Sequence, residues 1–360
     1  MIAADAEIAD VLALARPEIR ELQPYEHAAW EPNLTRLHAN ELPWPNCSDR
    51  HDPPLNRYPE PQPRELIEAL AEYYGVQPSQ LLATRGSDEA IDLLTRAFCR
   101  AGRDAVIVTP PTFGMYAVAA RIQDAAVVTV PRSGAPGFEL DAAAVAAALR
   151  PEVRIVWLCS PNNPTGGTVS KATLDAILAA TAGRALAVID AAYAEFSASH
   201  DDGAWLARHA HCVVLRTLSK AHGLAGARIG ALLAHPQIVQ LLRRILPPYA
   251  LAAPSVSAAL AALQPTSLMV TRTRIELLRN AREQLARDLA ALPAVIEIYP
   301  SDANFLLVRC RDAAAVMRAT RAHRLLVRDF SAHPGLAGCV RVTVGNDSDN
   351  ARLLDALREL

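Results

Sequence analysis

Three apolar runs in this 360-residue chain end in residues that can do chemistry. Cys159 leads into Ser160-Pro161-Asn162-Asn163-Pro164-Thr165-Gly166, and Asp190 into Ala191-Ala192-Tyr193. Thr217 leads into Leu218-Ser219-Lys220, with Arg228 eight residues beyond the lysine. Each residue has an ordinary reading too: Asn-Pro-Thr-Gly is a ready turn, Asp190 could cap a helix, and Lys220 could be solvated. Their order on successive strands points further. A lysine withdrawn from water has a depressed pKa, and its neutral amine can form a Schiff base with a carbonyl. Only two of the 36 basic residues are lysines. Lys171 follows Ser170 at the start of a charged helix and reads as solvent-exposed, which favours Lys220.

A second feature suits an anion. Arg85-Gly86-Ser87-Asp88-Glu89 joins a short apolar run to a helical pattern. A glycine and a small hydroxyl at a helix N-terminus present free N–H groups and the positive end of the helix dipole to a phosphate. Ser87 could equally be a plain N-cap. Thr217, Ser219 and Arg228 could supply the remaining phosphate donors.

The elements that must position these residues alternate. Helices are predicted over Arg64–Tyr74, Ser87–Arg100, Tyr116–Ile122, Asp141–Leu149 and Lys171–Thr181. Strands are predicted over Leu81–Thr84, Ala105–Thr109, Ala126–Pro131, Arg154–Cys159, Ala185–Asp190 and Cys212–Thr217. The last three are continuously apolar, as in strands buried on both faces of a parallel sheet. The class is therefore α/β with a mostly parallel sheet, whose ligands sit beyond the carboxyl ends of the strands. After about Pro265 the texture changes. A long charged helix (Leu268–Leu292), strands at Val295–Tyr299, Phe305–Arg309, Leu325–Asp329 and Val340–Val344, and helices Ala313–His323 and Asp349–Leu360 suggest a smaller α+β domain. The expected division is an N-terminal arm or helix over residues 1–34, a large domain over 35–264 and a small domain over 265–360.

Composition excludes other classes. The 36 Lys+Arg against 38 Asp+Glu give a formal charge of −2, without the basic excess that nucleic acid or an anionic membrane would want. A 51% hydrophobic content excludes a disordered chain. Six scattered cysteines with no C-x-x-C pair suggest neither a disulfide framework nor a zinc site. Asp5, Glu7 and Asp10 do not suit a signal peptide, and no apolar run is long enough for a membrane helix. The expectation is a reduced, cytoplasmic protein. No G-x-G-x-x-G follows the first strand, which weakens a dehydrogenase reading.

These motifs occur together with His38-Ala39-Asn40-Glu41, Asn56-Arg57-Tyr58-Pro59-Glu60, Pro110 to Tyr116, Val327-Arg328-Asp329 and Arg341-Val342-Thr343-Val344-Gly345. Over nearly its whole length the chain resembles the histidinol-phosphate aminotransferase family of fold type I pyridoxal-phosphate enzymes. Asn-Pro-Thr-Gly and Ser-Lys with Arg228 mark the superfamily. Arg-Tyr-Pro-Glu, Gly-Met-Tyr and Arg-Val-Thr-Val-Gly narrow it. The resemblance implies pyridoxal 5′-phosphate as cofactor, with Lys220 bonded to it and moving the proton. It implies that Asp190 pairs with the ring nitrogen, that Asn163 and Tyr193 bond the phenolic oxygen, and that Tyr116 stacks on the ring. Gly86, Ser87, Asp88, Thr217, Ser219 and Arg228 would hold the phosphate. Tyr58 would cross to the neighbouring subunit's phosphate, implying a homodimer. Arg341, at the end of an apolar strand, would grip the α-carboxylate of glutamate in one half-reaction and the substrate phosphate in the other. Arg328 and Tyr25 would assist, and Asn40 would line the site.

The implied reaction exchanges an amino group between L-histidinol phosphate and 2-oxoglutarate, in histidine biosynthesis. An aromatic aminotransferase or a phospho-amino-acid decarboxylase of the same fold would present nearly the same cofactor residues. A binding relative that no longer catalyses is disfavoured by the intact Lys220, Asp190 and Asn163. One departure stands out: Ala191 replaces the acidic residue that many relatives carry after the strand-end aspartate.

Overall fold

Short apolar strands with side chains alternating between two layers of helices build the larger part of the molecule. A computed structural model describes residues 2–26, 31, 34–133, 137–198 and 202–360. Strands β1 (Leu81–Thr84), β2 (Ala105–Val108), β3 (Ala126–Thr129), β4 (Val153–Cys159), β5 (Leu186–Asp190), β6 (Cys212–Thr217) and β7 (Gly230–Leu233) form one sheet, in the order β1-β7-β6-β5-β4-β2-β3. β2, β3, β4, β5 and β6 pair in parallel, and β7 runs antiparallel to β1 and β6.

The two-residue period of a strand explains the layers. Val156, Leu158, Ala187, Ile189 and Val214 face one core, with Leu66 and Leu70 of helix Arg64–Tyr74 and Leu174 and Ile177 of helix Lys171–Thr181. Their chain neighbours Ile155, Trp157, Val188, Val213 and Leu215 face the other core. There they meet Ile91 and Phe98 of helix Gly86–Phe98, Tyr116 of helix Met115–Ile122 and Ile238 of helix Pro236–Arg243. With both faces covered, the polar strand ends are left as the place for chemistry.

The second sheet contains β8 (Val295–Ile298), β9 (Phe305–Cys310), β10 (Arg328–Asp329) and β11 (Cys339–Thr343), antiparallel throughout in the order β10-β11-β9-β8. Its own core includes Leu285, Leu289, Val308, Val340 and Leu353. The long helix Pro265–Ala290 links the two parts. Ile275 clusters with Tyr193, Phe196 and Phe305, and Arg279 donates to the carbonyls of Glu195, Phe196 and Ser197. The small sheet is thereby held over the carboxyl end of β5.

Several elements are absent from the sequence reading. Strand β7 has four residues opening on a glycine, too short for a periodic signal. Helices Asp202–Arg208, Pro236–Arg243 and Ala253–Ala262 are likewise absent from it, whereas the N-terminal arm or helix expected over residues 1–34 includes helix Ile2–Leu14. Ile8 and Val11 of helix Ile2–Leu14 pack into the core shared with helix Gly86–Phe98, and Glu7 accepts from the Ala210 N–H at 3.0 Å. The strand expected over Leu325–Asp329 shortens to Arg328–Asp329, after a turn in which Arg324 takes a left-handed φ of 58°. Among the described residues, no helix is long and apolar enough to cross a membrane.

Candidate active site

The carboxyl ends of β4, β5 and β6 open beneath β10 and β11 into a cavity of about 800 Å³. Asp190, Tyr193, Asn163, Lys220, Ser87, Asp88, Thr217, Ser219 and Arg228 reach it from the large sheet, and Arg328 and Arg341 from the small one.

Asp190 is the last residue of β5 and only 2% exposed. Burial pushes its carboxyl above the ordinary range, while a hydrogen bond from the Tyr116 hydroxyl at 2.6 Å and one from the Ala192 N–H at 3.2 Å act the other way. It caps no helix; the chain turns away at once. Lys220 stands with Nζ 5.7 Å from the centre of the Tyr193 ring. Burial, then the charge of Arg341, holds its pKa below that of an ordinary lysine. Lys171 is solvent-exposed and paired with Asp175 at 2.7 Å. Burial likewise pushes the Tyr193 phenol up, and its ring packs edge-on against Phe305 at 5.2 Å.

The anion cradle is built from a helix start and a strand end. The helix Gly86–Phe98 begins with Arg85 as N-cap and carries no side-chain cap, so Ser87 does not cap it and the first-turn N–H groups stay open. Gly86 adopts φ +72°, a conformation that side chains disfavour, and a Cβ there would lie 2.6 Å from Arg228 Nη2. Thr217 Oγ1 donates to Ser219 Oγ at 2.9 Å, and Arg228 reaches the same hydroxyl at 3.4 Å. Asp88 needs correction. Its carboxylate accepts from Arg228 Nη2 at 3.0 Å, so its side chain orients the arginine, and only its backbone N–H is a donor suited to a phosphate.

Arg341 is the third of five residues in β11 rather than its last, and it donates to Asn163 Oδ1. Its guanidinium lies over the rings of Phe305 and Phe330, at 5.1 and 5.4 Å. Directly opposite it across the ladder is Arg328.

Tyr116 is the clearest correction. Its ring is fully buried, stacked at 5.0 Å on Trp157 rather than facing the cavity. It sits in the first turn of a helix whose inner side packs on the sheet. Phe113, in the loop just before that helix, does line the cavity. The rule that ligands meet the loops after strand ends could have found it. Phe330 and His333, which also line the cavity, follow β10 and carried no comparable signal. Tyr25, Asn40 and Tyr58 do not line this chain's cavity. Tyr25 is 71% exposed, Asn40 is exposed at a left-handed φ of 58°, and Tyr58 is half-exposed and stacked on Tyr249 at 4.6 Å. Ala191 is fully buried in apolar core, where a carboxylate would lose its hydration.

The donor set fits pyridoxal phosphate. It offers a buried carboxylate for a protonated ring nitrogen, an amide and a phenol for the phenolic oxygen, an amine for the aldehyde carbon, and an uncapped helix start with an arginine for the phosphate.

The model of the aminotransferase class I and II family matches residues 33–357. A histidinol-phosphate aminotransferase of Xylella fastidiosa (strain 9a5c) is 47% identical over 355 residues, covering 97% of each chain. The structure of histidinol-phosphate aminotransferase from Sinorhizobium meliloti in complex with pyridoxal-5′-phosphate is similar, with TM-score 0.76 and 27% identity, covering 85% of this chain and 83% of that one. The structure of L-threonine-O-3-phosphate decarboxylase from Porphyromonas gingivalis gives TM-score 0.72 and 25% identity, covering 85% and 90%.

Proposed function

The chain belongs to the class I and II aminotransferases, pyridoxal-phosphate-dependent enzymes, and we propose that its amino donor and acceptor are L-histidinol phosphate and 2-oxoglutarate. The observation that carries the choice is the pair Arg328 and Arg341, directly opposed on β10 and β11 and both facing the cavity that holds Lys220. Like charges opposite one another destabilise a ladder. An anion with several oxygens between them turns the repulsion into binding, and a guanidinium suits the planar, two-pronged contact. A substrate phosphate and the α-carboxylate of glutamate both meet that description. The near-full-length relative of the same name supports it.

The bound cofactor supplies an electron sink for the substrate α-carbon. In this reading Lys220, whose pKa burial and then Arg341 lower, takes the α-proton. Asp190 keeps the ring nitrogen charged, while Asn163 and Tyr193 hold the phenolic oxygen. The N–H groups of Gly86, Ser87 and Asp88, with Ser219, Thr217 and Arg228, fix the phosphate, and Arg341 orients the substrate. The reading also makes the protein a cytoplasmic homodimer, in which the half-exposed Tyr58 serves the partner's cofactor phosphate and Tyr25 and Asn40 complete the substrate site.

A substrate panel tests the proposal. Amino transfer from histidinol phosphate to 2-oxoglutarate should have a higher kcat/KM than transfer from phenylalanine, tyrosine or histidinol. Equal turnover of phenylalanine would overturn it, as would release of carbon dioxide from threonine phosphate in its place.

A further inference from the structure

We propose that Tyr116 is the positioning residue that keeps Asp190 ionised, by donating a hydrogen bond from its buried hydroxyl to Asp190 Oδ2. This rests on the reading above, in which Asp190 pairs with the cofactor's ring nitrogen.

Asp190 is almost fully enclosed, and burial without partners favours the protonated acid. A neutral carboxyl would not stabilise a protonated ring nitrogen. Two donors oppose that outcome: the Tyr116 hydroxyl at 2.6 Å on Oδ2 and the Ala192 N–H at 3.2 Å on Oδ1. The shorter is within the range of a charge-assisted O–H···O bond. Tyr116 is itself fully buried and its ring lies flat on Trp157, with 3° between the planes. The hydroxyl is therefore aimed by packing, so little orientation is lost when it bonds.

The other ionisable groups acting on Asp190 do not replace it. Lys220 favours the carboxylate by charge, and Asp88 opposes it. Cys159, on the adjacent strand, has a thiol pushed up to about 12 by burial, and Tyr193 is also pushed up. Neither titrates in the acid range. Arg132, buried beside Tyr116 and Cys159, remains a cation. Tyr116 does not itself line the cavity, and its hydroxyl reaches the site through Asp190.

The test is the dissociation constant of pyridoxal phosphate from the apoprotein as a function of pH. Tyr116→Phe removes a hydrogen bond to a charged group. That should move the acid limb of binding to higher pH by about one unit, so that affinity falls about tenfold on the acid side and stays near that of the wild type at alkaline pH. Fluorotyrosine at position 116 keeps the shape and donates more strongly, so it should move the limb to lower pH. That opposite sign keeps the test decisive if the phenylalanine variant folds poorly. Trp157→Phe, which keeps an aromatic ring beneath Tyr116 to aim its hydroxyl, should lower stability and leave the limb in place. Limbs unmoved in both Tyr116 variants overturn the proposal. If Asp190→Asn binds the cofactor like the wild type at every pH, the underlying assignment of Asp190 is what fails.

Discussion

The chemistry concentrates in a few side chains whose charge is set by burial. Lys220 is one of two lysines, and the other is solvent-exposed and paired with Asp175. Borohydride reduction of the holoenzyme should therefore fix the cofactor on the peptide containing Lys220; label on Lys171 would reverse the assignment. Because burial and then Arg341 depress the Lys220 pKa, attachment of cofactor to the apoprotein should reach half its maximal rate below the pH of an ordinary lysine. Arg341→Gln removes a neighbouring positive charge, so the midpoint should move to higher pH, read from absorbance traces. The same arginine, half-buried over Phe305 and Phe330, is the substrate clamp in the function proposed above. Arg341→Ala should cost about 2 kcal/mol of binding to the transition state, roughly a thirtyfold fall in kcat/KM for the phosphorylated amine.

At the scale of elements, the cradle depends on two chain segments approaching more closely than side chains allow. Gly230 of β7 pairs with Thr84 of β1, just before the Gly86 turn. A Cβ on Gly230 would stand 2.6 Å from the carbonyl carbon of Gly86 and 2.9 Å from the Arg216 oxygen, both backbone atoms. Gly230→Ala should thus destabilise the protein by about 1–3 kcal/mol in urea unfolding and weaken cofactor retention by displacing the helix start. The apolar strands and the helices behind them were legible in the sequence, because their pattern is long and uniform. Strand β7 was not, since nothing local in Gly230–Leu233 shows that it slots between β1 and β6. Tyr116 was misplaced for a related reason. Motif reading located the Gly-Met-Tyr segment but could not tell which aromatic, Phe113 or Tyr116, faces the cavity.

Over the whole molecule, one core on each side of the large sheet and a third under the small sheet leave the site in the gap between the two sheets. Tyr58, outside its own cavity's lining, makes the dimer testable by mixing. A heterodimer of Tyr58→Ala and Lys220→Ala chains should regain activity that neither homodimer has, because one of its sites receives an intact residue from each chain. No recovery would mean that Tyr58 acts within its own chain or not at all. The sequence by itself determined the α/β class and the strand ends that carry Asn163, Asp190 and Lys220, and it singled out Lys220 over Lys171 as the candidate for covalent chemistry. Those are local facts of residue type and period. Only the tertiary structure decided that Arg328 and Arg341 stand opposite each other above that lysine, that Asp88 serves Arg228, and that Tyr116 is buried against Asp190. Each depends on how elements distant in the chain pack, and packing responds to shape and enclosure that no single segment contains.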